Sequence, residues 1–324
     1  MDFERFKKTQ SKVLKLLDNS YKKNRVSHVY LFEGAKGTLK LDAAYYLSSL
    51  LLCEGDTHPC GECLECKRIK KGSHPRIYVV GPDGESIKKE QIDNLIHDFS
   101  RKGLEEGNRI YIIKDIEKTT LSAANSLLKF IEESSEGIYG VLITDNIGSV
   151  LPTIISRCQV VNFYKVNQED LIREYEKSNI SLEVSKVLSI ITNDTSEGIE
   201  LLNEGKLNDI INLVKLCNKD IVEEKDAYVT FFENCKVLMD EGNVRKYHQI
   251  FLDLLITITN DRIYKALGQD DKIVFETENL NFDGDLRRAV SQSEVIISFK
   301  ERLKYYVNLE TMYMEMFIEV GKKW

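Results

Sequence analysis

Five short β-rich runs, separated by stretches of helical periodicity, are the feature that most constrains the fold. The runs occupy residues 28–33, 76–80, 109–113, 139–144 and 158–163. Strands that are joined through a helix run parallel, because the chain returns to the same end of the sheet before the next strand begins. The pattern therefore predicts an α/β domain with a five-stranded parallel sheet over about residues 1–165.

The segment before the first strand has the pattern of one amphipathic helix, with apolar residues near helical spacing and lysines on the other face. Its apolar residues are Phe3, Phe6, Val13, Leu14 and Leu17. We expect this helix to cover the domain that follows it. Another helix with one apolar stripe is predicted over residues 120–133.

Beyond residue 165 the strand signals fade and helical patterns dominate. We place domain boundaries near residues 165 and 207. They predict a small helical domain at 166–207 and an all-helical domain at 208–324. The one exception is the segment 272–283, which is compatible with either a strand or a loop.

Composition limits the classes of function. The 324 residues are 42% hydrophobic and 30% charged, which is typical of globular protein with two or three domains. No apolar run reaches the 18 or so residues of a membrane span, and the N-terminus lacks the apolar stretch of a signal peptide. We therefore expect a cytoplasmic protein without a membrane partner. The net charge of −7 argues against a protein that mainly coats nucleic acid, so any DNA contact is local or shared.

A degenerate phosphate loop follows the first strand. Residues 34–41 precede a helical run and match the Walker A pattern G-x-x-x-x-G-K-[ST] in part, through Gly34 and Lys40, with Gly37 also in the loop. Leu39 replaces the second glycine, and Leu41 replaces the hydroxyl that holds magnesium. These changes predict a vestigial loop in which nucleotide binding is doubtful. The alternative is a glycine-containing βα turn without any phosphate role.

The third strand ends in Lys114 and Asp115, where a Walker B strand ends in Asp-Glu. Lys114 cannot bind a metal cation, and Asp115 is one methylene shorter than the usual glutamate, which places it poorly for polarising water. The chain is therefore predicted not to hydrolyse ATP. The rival interpretation is an active P-loop ATPase that uses Lys40 and Asp115 in an unusual arrangement.

Four cysteines are clustered after the first helix of the sheet domain, with the spacing C-x6-C-x2-C-x2-C. They are Cys53, Cys60, Cys63 and Cys66. Cysteines in a reducing compartment are metal ligands or nucleophiles more often than disulfides. Four thiolates leave no open coordination position, which predicts one structural Zn²⁺ per chain; an iron–sulfur cluster and free thiols are the alternatives. The loop has no core of its own, so metal binding would supply on the order of 10 kcal/mol.

Between residues 25 and 165 the chain resembles one family, the delta-prime subunits of bacterial DNA polymerase III. The resemblance rests on residues 27–34 (SHVYLFEG), the four-cysteine insertion at 53–66, residues 123–133 (AANSLLKFIEE) and the Ser156-Arg157-Cys158 triplet, in this order. It implies an AAA+ P-loop domain, a helical lid and a helical collar. It also implies a clamp loader with ATPase subunits and a delta subunit as partners, and contact with the sliding clamp and primer-template DNA through the complex.

The resemblance implies a role for Arg157 in trans, as an arginine finger that reaches the γ-phosphate of ATP on a neighbouring subunit. From the residues alone, a surface arginine in a salt bridge is the simpler interpretation of Arg157. Two other functions are weighed against the clamp-loader role. One is a catalytically active clamp-loader ATPase, and the other is a zinc-dependent nucleic-acid-binding module without ring partners, which the acidic net charge disfavours.

Overall fold

All five predicted strands lie in the first of two compact units, Met1–Asn167 and Gln168–Trp324. The structure, a computed structural model, describes residues 1–100, 107–133, 136–239, 244–276, 286–303, 305 and 308–322. The strands are β1 (Val29–Glu33), β2 (Ile77–Val80), β3 (Arg109–Ile113), β4 (Ile138–Thr144) and β5 (Gln159–Asn162). The helices of this unit are α1 (Phe3–Thr9), α2 (Ser11–Lys22), α3 (Lys40–Leu52), α4 (Leu64–Lys70), α5 (Lys89–Ser100), α6 (Leu121–Glu133) and α7 (Pro152–Ile155).

The sheet has the order β2-β3-β4-β1-β5, and every neighbouring pair is parallel. The prediction of an α/β fold with a five-stranded parallel sheet is therefore confirmed. Helices cover both faces, which explains why β1 is apolar at successive positions. Tyr30 and Phe32 pack into the core on one face, and Val29 and Leu31 pack into the core on the other. Because β4 is the parallel neighbour of β1, the residue that follows β4 lies beside the loop that follows β1.

The prediction of one N-terminal helix is wrong, because the segment forms two helices that meet at Gln10. Gln10 has a non-helical backbone and a buried side chain. Its amide nitrogen donates to the Tyr164 carbonyl at 2.6 Å, and its amide oxygen accepts from the Tyr164 backbone N–H at 3.3 Å. These two hydrogen bonds tie the break to the segment after β5. The apolar residues Phe6, Val13 and Leu17 still face the core as predicted.

The described part of the second unit contains helices and no β-strand. These are α8 (Gln168–Lys177), α9 (Leu182–Ile191), α10 (Thr195–Asn203), α11 (Lys206–Val222), α12 (Ala227–Asn234), α13 (Val244–Ala266), α14 (Leu286–Arg302) and α15 (Leu309–Val320). Residues 273–276 form no strand, and the remainder of the predicted exception, 277–283, lies outside the described residues. A division of this unit near residue 207 stays a prediction.

Candidate functional sites

The loop between β1 and α3 is shaped by close contacts and by left-handed backbone. A Cβ atom at Gly34 would lie 2.7 Å from the Phe163 carbonyl oxygen, so only glycine fits there. Gly37 has φ of +77°, and Leu39 has φ of +66° although it carries a side chain. A left-handed leucine costs about 1–2 kcal/mol, which the surrounding contacts must offset.

Lys40, the first residue of α3, turns back into this loop and is buried. Its ammonium donates to the carbonyl oxygens of Gly34 and Ala35, the latter at 2.8 Å, and lies 3.4 Å from the Thr38 hydroxyl. The fourth contact is a 2.9 Å ion pair with the Asp145 carboxylate. The charge of Lys40 is therefore balanced inside the protein, by an acid from another strand.

Asp145 is a site residue that the sequence analysis missed. It directly follows β4, the neighbour of β1, and its backbone N–H donates to the Glu117 carboxylate at 3.4 Å. The sequence signal that points to Asp145 is an acidic residue at the carboxyl end of a strand. That signal becomes meaningful only when the strand order places β4 beside β1.

Asp115, the predicted remnant of the Walker B carboxylate, pairs with Lys118 at 3.1 Å and has a left-handed backbone with φ of +52°. The Lys114 side chain lies against Gly81, where an added Cβ would stand 3.0 Å from the lysine Cε. The ion pair of Lys40 is thus made with Asp145 rather than with Asp115.

The four clustered cysteines are brought together as predicted. Cys53 caps the end of α3, Cys63 caps the start of α4, and all four Sγ atoms lie within 4.8 Å of one another. Ideal tetrahedral ligation with Zn–S bonds of about 2.3 Å requires sulfur atoms about 3.8 Å apart. The Sγ atoms of Cys60 and Cys66 are 3.9 Å apart. The cluster therefore fits a metal ion with four sulfur ligands.

Backbone N–H groups point at the cysteine sulfur atoms. The amides of Cys60, Cys63 and Cys66 donate to the Sγ atoms of Cys53, Cys60 and Cys63 at 3.3–3.4 Å. Hydrogen bonds of this kind favour the thiolate over the thiol. The amides of Cys63 and Glu62 lower the pKa of the Cys60 thiol to about 6. The pKa of the Cys63 thiol is also lowered, whereas burial raises the pKa of the Cys53 and Cys66 thiols. The loop therefore stabilises negative sulfur, the form that binds metal, at Cys60 and Cys63.

The two histidines near the cluster have partners of their own. His58 stacks on Tyr21, and its Nδ1 lies 2.8 Å from the Tyr21 hydroxyl. His74 is buried and accepts the Arg76 backbone N–H at Nδ1, so its proton is on Nε2, which faces the Glu65 carboxylate. Burial lowers the pKa of His74. Because Glu65 lies between two of the cysteines, the pair fastens the cysteine loop to the start of β2.

Arg157 lies between α7 and β5, and its side chain is 39% exposed. Its Nε donates to Glu132 Oε1 at 2.6 Å, Nη2 contacts the same oxygen, and Nη1 donates to the Thr153 carbonyl at 3.1 Å. In the isolated chain Arg157 thus makes the surface salt bridge considered as its alternative role. The Cys158 side chain that follows it is half-buried.

Arg157 and the phosphate loop lie at opposite ends of the sheet. The loop follows the carboxyl end of β1, whereas Arg157 precedes the amino end of β5, and these strands are parallel with Glu33 beside Asn162. Four residues of β5 at about 3.3 Å each separate the two ends by about 13 Å, which is longer than an arginine side chain. Arg157 therefore cannot reach a phosphate bound in its own loop.

Comparisons with known proteins agree with these features. A family model described as "DNA polymerase III, delta subunit" matches residues 9–167. The DNA polymerase III subunit delta′ of Bacillus subtilis is 35% identical over 308 residues, which cover 93% of each chain. The subunit delta′ of Haemophilus influenzae is 30% identical over 175 residues, 52% of this chain and 53% of the relative. A gamma subunit-related protein of Thermotoga maritima superposes with a TM-score of 0.42 and 17% identity, over 94% of this chain and 98% of that chain.

The parallel sheet, its glycine-containing loop and the helical second unit have the AAA+ fold class that the sequence predicts. Within this class, the chain belongs to the delta-prime subunits of DNA polymerase III. The family resemblance found in the sequence is thereby confirmed. In the part of the chain that the structure describes, no helix is both long and apolar enough to cross a membrane.

The contacts of Lys40 generate a prediction about folding. Replacing Lys40 with Met removes the donor shared by Asp145 and the two loop carbonyls, so the free energy of unfolding of the first unit should fall by about 1–3 kcal/mol. The measurement is hydrogen exchange of the β1 and β4 backbone amides of the nucleotide-free chain over a series of urea concentrations, because the single tryptophan, residue 324, lies in the second unit. Lys36→Met, at an exposed position of the same loop, is the control. Equal stability of the Lys40→Met and wild-type chains would mean that the lysine contributes nothing to the fold.

Proposed function

We propose that this chain is a non-hydrolysing, zinc-binding subunit of the DNA polymerase III clamp loader, which helps to load the sliding clamp onto primed DNA. Its direct partners are the ATPase subunits and the delta subunit, in the reducing cytoplasm. Residues 166–207 are its lid and residues 208–324 its collar, through which it joins the ring. The observation that carries the proposal is the position of Arg157, at the end of the sheet opposite its own phosphate loop.

The absence of hydrolysis is supported by the surroundings of the loop. Leu41 offers no magnesium ligand, and the Lys40 ammonium already has oxygen partners in the loop and on Asp145. Asp115 is paired with Lys118 rather than placed beside Lys40. A phosphate that approached Lys40 would compete with Asp145 for its ammonium. The active ATPase that rivals this proposal would need both a metal ligand and a carboxylate that polarises water.

The isolated chain is expected to release no phosphate from magnesium ATP above the background of a chain-free control. A sensitive phosphate-release assay on freshly purified protein measures this. ATP hydrolysis that copurifies with the chain and disappears in the Lys40→Met variant would show instead that the chain is an active ATPase. Weak nucleotide binding without turnover agrees with the proposal, because the backbone amides of the loop remain.

Zinc is the metal that the donor set favours. Four thiolates in tetrahedral arrangement suit Zn²⁺, and a site with four protein ligands is structural rather than catalytic. The hydrogen bonds from backbone amides to sulfur and the Glu65–His74 pair behind the loop support a prearranged site. With the metal bound, its role is to hold the loop between α3 and β2 in one conformation.

The purified chain is expected to contain one zinc ion, measured by elemental analysis. Cys60→Ser and Cys63→Ser should each lose it, because three thiolates bind zinc far more weakly than four. Cys235→Ser, at a buried thiol of the second unit, should keep it and is the matched control. Zinc content that is unchanged by the first two substitutions contradicts the site, and visible absorption with bound iron would identify a cluster instead.

The trans-acting role of Arg157 follows from its distance to its own loop and from its exposure. An arginine finger stabilises the negative charge that spreads over the phosphoryl group during transfer, and its planar fork meets two phosphate oxygens. A chain that does not hydrolyse ATP can use such a residue only on a neighbouring subunit. We therefore assign Arg157 to the γ-phosphate of ATP that is bound next to it in the ring.

Arg157→Ala should leave the chain folded and assembled but lower the ATPase rate of the complete complex in the presence of clamp and primed DNA. A finger contributes on the order of 10³-fold at its own site, but the other sites dilute the effect, so a partial loss is expected. Arg157→Lys should not restore the rate, since an ammonium lacks the fork. Arg173→Ala, at an exposed arginine of α8, is the control. Wild-type ATPase and clamp loading by an assembled Arg157→Ala complex would refute the role.

A DNA-binding assay distinguishes the rival function, a zinc-dependent nucleic-acid-binding module, from the proposed clamp-loader subunit. Such a module would bind bare DNA as an isolated chain, with affinity that falls steeply as salt rises. The net charge of −7 favours weak binding outside the complex. Tight, strongly salt-dependent binding that is lost with the metal would support the module.

A further inference from the structure

Glu132 forms a salt bridge with Arg157. It lies in the last turn of α6, 25 residues before Arg157 in the chain. Both Nε and Nη2 of the guanidinium contact Glu132 Oε1, while Nη1 donates to the Thr153 carbonyl. The pair is half-exposed, at 39% for the arginine and 50% for the glutamate side chain. It therefore lies at the surface, where a neighbouring subunit can approach it.

Glu132 takes the side edge of the guanidinium and leaves one hydrogen of Nη2 on its outer edge. A guanidinium has five N–H donors in a fixed plane. Glu132 takes the Nε–Nη2 edge, and the Thr153 carbonyl takes one hydrogen of Nη1. Nη1 also donates to the Ser156 hydroxyl at 3.4 Å, which leaves the second hydrogen of Nη2 without a partner in the described part of the chain. Arg157 can thus offer this hydrogen to a phosphate oxygen, and a second one if the long Ser156 contact is given up, without leaving Glu132.

We propose that Glu132 is a positioning residue, which holds the side edge of Arg157 so that the outer edge is presented to a neighbour's triphosphate. This inference rests on the proposed trans-acting role of Arg157. A free arginine samples many rotamers, and holding it in one orientation before the phosphate arrives increases the fraction of encounters that are productive. The α6 helix is a rigid support for this purpose, since its Ala123, Ala124 and Leu127 are fully buried.

The adjacent residue Glu133 provides a matched control. Successive helical residues point about 100° apart, so Glu133 faces a different direction from Glu132. It lines a groove between α5 and α6 together with Asp93 and Phe130. Glu133→Ala removes the same charge from the same turn of the helix and leaves the contacts of Arg157 in place.

The experiment uses the complete complex with clamp and primed DNA, and measures kcat and KM for ATP. Glu132→Ala should lower kcat about threefold with little change in KM, because orientation acts on the transition state rather than on ATP binding. Glu132→Gln should restore part of the rate, since its amide oxygen still accepts from Arg157. Glu133→Ala should match the wild type. Size-exclusion chromatography of each complex and thermal unfolding of each chain check that the variants fold and assemble.

The double variant Arg157→Ala/Glu132→Ala decides whether Glu132 acts through Arg157. It should be no slower than Arg157→Ala alone, because the residue to be positioned is already gone. A double variant slower than Arg157→Ala, a wild-type rate for Glu132→Ala, or a rate above wild type would each overturn the inference. If Arg157→Ala lowers the rate in those cases, the proposed function stands without it. If Arg157→Ala has no effect, the proposed function itself fails.

Discussion

The parallel direction of the five strands is the constraint on which the remaining features depend. Parallel strands place all their carboxyl ends at one edge, so the phosphate loop after β1, Asp145 after β4 and Asp115 after β3 gather there. Arg157 comes before β5 and is therefore at the opposite edge. One sheet thus separates the glycine-containing loop from Arg157, which lies too far away to contact a phosphate bound in that loop.

The lysine of the loop after β1 has a structural role. Lys40 is buried, and a buried ammonium must have hydrogen-bond acceptors. The Gly34 and Ala35 carbonyls and the Asp145 carboxylate provide them, and in doing so they join the end of β1 to the end of β4. The lysine at the Walker A position therefore helps to close the fold.

The cysteine loop shows the same dependence on residues that are distant in sequence. The four sulfur atoms come from a short segment, but the loop is held by Glu65 on His74 at the start of β2 and by His58 on Tyr21 of α2. The terminal ammonium of Met1 also donates to the Lys70 carbonyl at 3.2 Å. The loop is therefore packed between the N-terminal helices and the sheet, which links its conformation to theirs.

Local patterns in the sequence determined the strands, the helices, the cysteine cluster and the family, because each depends on residue spacing within a few turns or strands. The tertiary structure alone decided the break at Gln10, the pairing of Lys40 with Asp145 and that of Arg157 with Glu132. Each of these contacts joins residues 25 to 154 positions apart. Such contacts depend on the strand order and on how the helices pack, and neither leaves a periodic signal in the chain.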